Sequence, residues 1–314
     1  MRIAVFGTGG VGGYFGGRLA QAGEEVVFLA RGAHLAAIQA NGLAVKSIAG
    51  DFTVSPAEAT DDPGKIGRVD AVLVGVKAWQ VPEAARAVQR MIDSNAMVVP
   101  LQNGVEAPRE LAKTLGREYV LGGLCRIISF ISAPGEIRHT GMEPYIAFGE
   151  LDNRRSHRVE RLEDAFRRAD GLTVEIPEDI HVAMWRKFLL IAAWSGIGAI
   201  TRAPIGVTRS QPETRALLRQ AMKEILAVAQ AHAVALPPSA VDNTMTFIDS
   251  LSGAGTASMQ RDIMEGRPSE LESQNGAVVR LGQEVNVQTP LHQFIYHSLL
   301  PQERKARGEL VFSE

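Results

Sequence analysis

Six residues near the amino terminus restrict the fold more than any other part of the chain. Gly7-Thr8-Gly9-Gly10-Val11-Gly12 follows an apolar run, Arg2 to Phe6, and precedes small residues at helical spacing, Gly12 to Ala22. A short apolar run ended by glycine suits a buried parallel strand. A GxGxxG turn between such a strand and a helix is the setting in which it binds a dinucleotide. Gly7 permits the tight turn, Gly9 leaves room for the pyrophosphate, and Gly12 lets the helix approach the strand. Thr8, Gly10 and Val11 complete the loop, and the helix start offers free N–H groups and partial positive charge to the phosphates.

The rest of the first half keeps the same alternation. Strands are expected at Glu25 to Ala30, Val69 to Val76 and Ala96 to Leu101, with helices at Pro82 to Met91 and Ala107 to Leu115. Alternating strands and helices imply an α/β fold with a doubly wound parallel sheet, whose carboxyl edge takes the ligand. A helix is expected at 154–168 and a last strand at 172–176. Beyond Asp179 the pattern is helix after helix, near 179–200, 211–233, 237–251, 255–265, 269–284 and 289–299. The expectation is therefore a Rossmann domain over 1–177 and an all-α domain over 178–314, and 314 residues are enough for two cores.

The second strand selects the cofactor. NAD enzymes place Asp or Glu there, on the ribose 2′-hydroxyl, whereas this strand ends in Ala30-Arg31. Arginine pairs with a 2′-phosphate through parallel charge-assisted hydrogen bonds, so NADPH is the expected cofactor.

Other classes are disfavoured. A net charge of −2 gives no electrostatic reason to expect nucleic acid or an anionic membrane as partner. The longest apolar run, Phe188 to Ile200, is shorter than the roughly 20 residues of a membrane span, and Ile3 to Phe6 is too short for a signal peptide. A single cysteine, Cys125, excludes an internal disulfide and fits a cytoplasmic protein. The seven histidines show no metal-ligand spacing, and CxxC and GxSxG are absent. The oligomeric state stays open, a homodimer among the options.

At Arg31-x-x-His34-Leu35 the chain resembles the ketopantoate reductases (2-dehydropantoate 2-reductases). The resemblance continues through Val76-Lys77, Leu101-Gln102-Asn103-Gly104, Gly135-x-Ile137-x-His139, Trp185-x-Lys187, Ser258-Met259, Asp262, Glu270, Asn275-Gly276 and Thr289-Pro290. It implies NADPH-dependent reduction of a small 2-oxo acid, in the pathway to pantothenate. It makes Lys187 the general acid, Glu270 its catalytic assistant and Ser258 a contact to the substrate carboxylate. Hydride transfer to a ketone builds negative charge on oxygen, so a proton donor within reach is required. Lys187 opens an apolar helix, where partial burial would lower its pKa toward the working range. Glu270 is expected in the first turn of a helix begun by a capping box, Ser269-x-x-Glu272. Lys77 and Asn103 follow two strands directly and are expected beside cofactor and substrate.

One departure bears on the substrate. The family carries asparagine four residues after the lysine, and often again at eight; here these positions are Ile191 and Ser195. Ser195 keeps a hydroxyl for substrate, whereas Ile191 would leave a substrate hydroxyl unpaired. Two other readings therefore stand beside ketopantoate: another 2-oxo acid with a more apolar tail, and a non-catalytic NADPH-binding sensor.

Overall fold

A computed structural model describes residues 1–312. The chain divides into two compact units, one of 1–102 and 107–183, the other of 103–106 and 184–314.

The first unit opens with β1 (Arg2–Phe6), α1 (Gly10–Gln21), β2 (Glu25–Leu29) and α2 (Gly32–Asn41). Three short strands follow, β3 (Leu43–Ser47), β4 (Phe52–Val54) and β5 (Glu58–Thr60), then β6 (Ala71–Val74), α3 (Val81–Val88), β7 (Met97–Pro100) and α4 (Ala107–Leu115). Strands β5-β2-β1-β6-β7 form one sheet, parallel throughout. Alternate residues of each strand enter two separate cores. Ile3, Val5, Phe28, Leu73 and Val99 face one, and Ala4, Phe6, Val27, Val72 and Val98 the other. Burial on both faces is why these strands read as unbroken apolar runs.

A second sheet completes the unit, built from β8 (Leu121–Ala133), β9 (Glu136–Glu150) and β10 (Thr173–Glu175), with α5 (His157–Arg167). Its order is β10-β9-β3-β4, and β8 pairs antiparallel to β9 around Gly135, which has φ +78°. The sequence reading held no strands over 121–150. Glycine, proline and charge interrupt both, yet each holds a stretch of the kind that marks a strand, Ile127–Ile131 in β8 and Tyr145–Phe148 in β9. The His139 motif is explained by this sheet: its ring contacts Ser47 Oγ at 2.8 Å and the Met142 carbonyl at 2.9 Å. Cys125 is buried, its Sγ 3.7 Å from the Leu101 carbonyl.

The second unit is helical. Its elements are the bulk of α6 (Ile180–Thr201), then α7 (Ile205–Ser210), α8 (Pro212–Ala231), α9 (Ala240–Ser250) and α10 (Ser258–Met264). A π-helical turn at Glu272–Gly276 leads into α11 (Ala277–Glu284), and α12 (Pro290–Ala306) ends the fold. The short α7 was not anticipated, because six residues are too few to show helical periodicity. Glu224 of α8 caps α12, accepting from the N–H groups of Leu291 and His292 at 3.0 and 3.1 Å. Among the described residues no helix is long and apolar enough to cross a membrane, and no group of three or more His, Cys, Asp or Glu is placed to hold a metal.

His292 is wholly buried at the centre of this unit. Its Nδ1 lies 3.0 Å from Asn275 Nδ2 and its Nε2 3.1 Å from the Ala221 carbonyl. Burial pushes its pKa from 6.5 down to about 4. Between those values the unfolded chain binds a proton that the folded chain does not. Stability is therefore full above pH 6.5 and falls as pH drops toward 4, by roughly 3 kcal/mol in all. Thermal melts of the wild type should show this slope between pH 6.5 and 4.5, and His292→Gln should flatten it despite lower stability at pH 7. Equal slopes in the two proteins would remove His292 as the source.

Candidate active site

The glycine turn does what its spacing demands. Gly7 has φ +101°, and a β-carbon there would lie 2.7 Å from Val76 Cγ1. A β-carbon on Gly12 would lie 2.2 Å from the Gly7 carbonyl oxygen, so only glycine lets α1 sit this close to the turn. Gly9 differs: it is the N-cap of α1, with φ −82°, and nothing lies within 4 Å of where its β-carbon would be. The fold has no need of glycine at that point, whereas a phosphate lying over the helix start does. The loop thus fits a dinucleotide. Thr8 is buried, and its N–H and hydroxyl both donate to the Leu29 carbonyl, at 2.9 and 2.8 Å. Its side chain fastens the loop to β2.

Arg31 is the exposed N-cap of α2. Its guanidinium lies 3.3 Å from Glu83, and both side chains are mostly exposed. Such a pair contributes about 0–1 kcal/mol, which leaves the arginine available to a stronger anion. Lys77 follows β6 at the carboxyl edge of the sheet, half-buried, with Nζ 5.8 Å from the Trp79 ring centroid. Gln102, which the sequence offers only as part of the Leu101-Gln102-Asn103-Gly104 motif, has a task of its own. Its Nε2 donates to the carbonyls of Val74 and Val76, at 2.8 and 2.9 Å, and so ties the end of β7 to the loop that carries Lys77.

In the helical unit, α6 carries Lys187, Ile191 and Ser195 at four-residue steps, on one face. Lys187 and Ile191 are half-buried, while Phe188 and Trp185 are buried beside them with rings edge to face at 5.6 Å. Ser195 is fully buried and its hydroxyl has no hydrogen-bond partner among the described residues. A buried hydroxyl left so costs stability unless something else satisfies it.

Glu270 is 5% exposed, and its Oε2 accepts from Asn103 Nδ2 at 3.2 Å. The structure thus brings together two residues 167 positions apart, which the sequence had assigned to separate tasks. Gly104 allows this approach: a β-carbon on it would lie 2.9 Å from the Ser273 carbonyl oxygen. Two local expectations need correction. Glu270 is not in the first turn of an α-helix; it lies in a bend before the π-helical turn. The Ser269–Glu272 capping box does not form, because Ser269 Oγ donates to Glu303 and Glu272 pairs with Arg280 and Tyr296. Buried or oppositely charged partners outcompete a local cap. Ser258 begins α10, but Ala257 is the N-cap, and the Ala257 N–H donates to Gln260 Oε1 at 3.3 Å. Capping therefore falls to Gln260 rather than to Ser258.

Residues 3–153 match the family Ketopantoate reductase PanE/ApbA, and residues 179–303 match its C-terminal counterpart. The chain is 30% identical over 301 residues to an uncharacterized oxidoreductase of Bacillus subtilis (strain 168), covering 95% of this chain and 98% of that one. It is 29% identical over 303 residues to a 2-dehydropantoate 2-reductase of Nostoc sp., covering 95% and 94%. A crystal structure of 2-dehydropantoate 2-reductase from Geobacter metallireducens GS-15 superposes with a TM-score of 0.89 at 32% identity, covering 96% and 99%.

Proposed function

The chain belongs to the ketopantoate reductase family, and we propose that this oxidoreductase reduces ketopantoate to pantoate with NADPH, in the cytoplasm. The observation that carries the reading is the buried Glu270 held by Asn103 in the helical unit that also bears Lys187. A buried carboxylate is costly unless it is paired or hydrogen-bonded, and the bond from the Asn103 amide holds this one in place, which supports a role for it in the reaction.

Bound NADPH supplies a hydride to the carbonyl carbon. Negative charge then develops on the carbonyl oxygen, and Lys187 Nζ donates the proton that quenches it. Glu270 orients the lysine or the substrate, and Asn103 fixes that carboxylate. Ser258 holds the substrate carboxylate. Ser195, fully buried and with no hydrogen-bond partner for its hydroxyl among the described residues, is the residue we assign to a substrate hydroxyl. On the cofactor side, the free N–H groups at the start of α1, those of Gly10, Val11 and Gly12, would receive the pyrophosphate over Gly9, Arg31 the 2′-phosphate, and Lys77 and Asn103 the polar groups near the nicotinamide.

Ile191 supports a second reading, in which the substrate is a 2-oxo acid with a more apolar tail. A panel of 2-oxo acids separates the two: the highest kcat/KM should fall on ketopantoate, and a higher value on a tail lacking the hydroxyl would favour the second. The Arg31 assignment has its own test. Arg31→Ala removes charge-assisted bonds of about 1.5–3 kcal/mol, which predicts a rise of roughly 10- to 100-fold in KM for NADPH. The KM for NADH should hardly change; equal effects on both cofactors would sink the assignment.

A further inference from the structure

We propose that Glu303, in the last turn of α12, and Arg307, its C-cap, are positioning residues for Glu270; this rests on the reading of Glu270 as part of the catalytic machinery. The residue just before it, Ser269, is fully buried and held at every polar atom. Its N–H donates to both oxygens of Glu303, at 3.1 Å each, and its hydroxyl donates to Glu303 Oε2 at 2.5 Å. Its carbonyl accepts from Arg307 Nη2 at 3.0 Å, and its Oγ also accepts from the Leu271 N–H at 3.2 Å. Arg307 Nε closes the ring by donating to Glu303 Oε1 at 2.6 Å.

Glu303 is 4% exposed and lies one helical turn from Arg307, so both side chains reach the same peptide. Buried ion pairs are poor stabilisers, because apolar residues of the same volume often serve as well or better; what such a pair can supply is one defined conformation. The conformation defined here is that of residue 269. On the other flank, Asn275 of the π-helical turn donates to the Ala192 carbonyl of α6 at 3.2 Å. Glu270 is held between these two anchors, with its carboxylate 3.2 Å from Asn103. Misplacing a reacting group by about 1 Å can cost ~100-fold in rate, which is the reason to clamp the backbone beside it.

The test is a double-mutant cycle on the full chain, with kcat, KM for NADPH and thermal melts measured for each protein. Glu303→Gln should lower kcat by roughly 10- to 100-fold and leave KM for NADPH unchanged. In a Glu270→Gln background the same substitution should cost less than about twofold, because it acts through a group already disabled. Ser269→Ala, a milder change that keeps the fold if Glu303→Gln does not, should show a smaller loss of kcat that likewise vanishes in that background. A lower melting temperature with kcat retained, or a loss of kcat repeated in full without Glu270, would overturn the proposal as a merely structural clamp. Wild-type turnover by Glu270→Gln alone would instead defeat the underlying reading of Glu270.

Discussion

Lys187→Ala should lower turnover by about 10²- to 10⁴-fold while NADPH binding stays intact. The size follows from what is removed. Without a positioned proton donor, the alkoxide formed by hydride transfer must wait for water, and the loss of one general acid falls in that range. The selectivity follows from placement, since Lys187 belongs to the helical unit and the glycine turn to the other. The half-buried position suits a donor. Stopped-flow binding of NADPH and steady-state turnover, measured on one preparation, check the two halves of the statement. Unchanged turnover would remove Lys187 from the mechanism, and lost NADPH binding would mean the change had spread beyond the proton donor.

The second large effect is expected at Gly9, and it separates ligand from fold. Gly9→Val places its β-carbon where nothing lies within 4 Å, at a φ of −82° that valine adopts without strain. The melting temperature should therefore change little. The same side chain occupies the space over the amino end of α1 that a pyrophosphate requires, so the NADPH dissociation constant should rise by roughly 100-fold or more, about 3 kcal/mol. Gly12→Val provides the contrast. A β-carbon there meets the Gly7 carbonyl oxygen at 2.2 Å, and the fold itself should fail. Normal NADPH affinity in Gly9→Val would mean that the dinucleotide does not lie across this turn.

These expectations divide along the line between local and distant information. The glycine turn, the apolar strands β1, β2, β6 and β7, and the helix bearing Lys187 are written in contiguous stretches of sequence, where period and turn chemistry can be read. The strands β8 and β9 carry local signals too, the Ile127–Ile131 and Tyr145–Phe148 stretches and the Pro134-Gly135 turn between them, but the pairing of β9 to β3 joins segments far apart in the chain and has none. The same holds within the site. Lys187, Glu270, Arg31 and the glycine loop could be named in advance by spacing and resemblance. The bond from Asn103 to Glu270 spans 167 positions, and the clamp on Ser269 spans 34, so neither leaves a local signature. The π-helical turn after Glu270 lies between Ser269 and Asn275, each tied to another helix, and those ties too leave no local signature.

Reduction of a 2-oxo acid by NADPH is read from the initial rate of NADPH consumption when ketopantoate is added to the purified protein. Fast consumption is expected, with one pantoate formed per NADPH oxidised. NADPH that binds but is not consumed, with ketopantoate and with every other 2-oxo acid supplied, would contradict it.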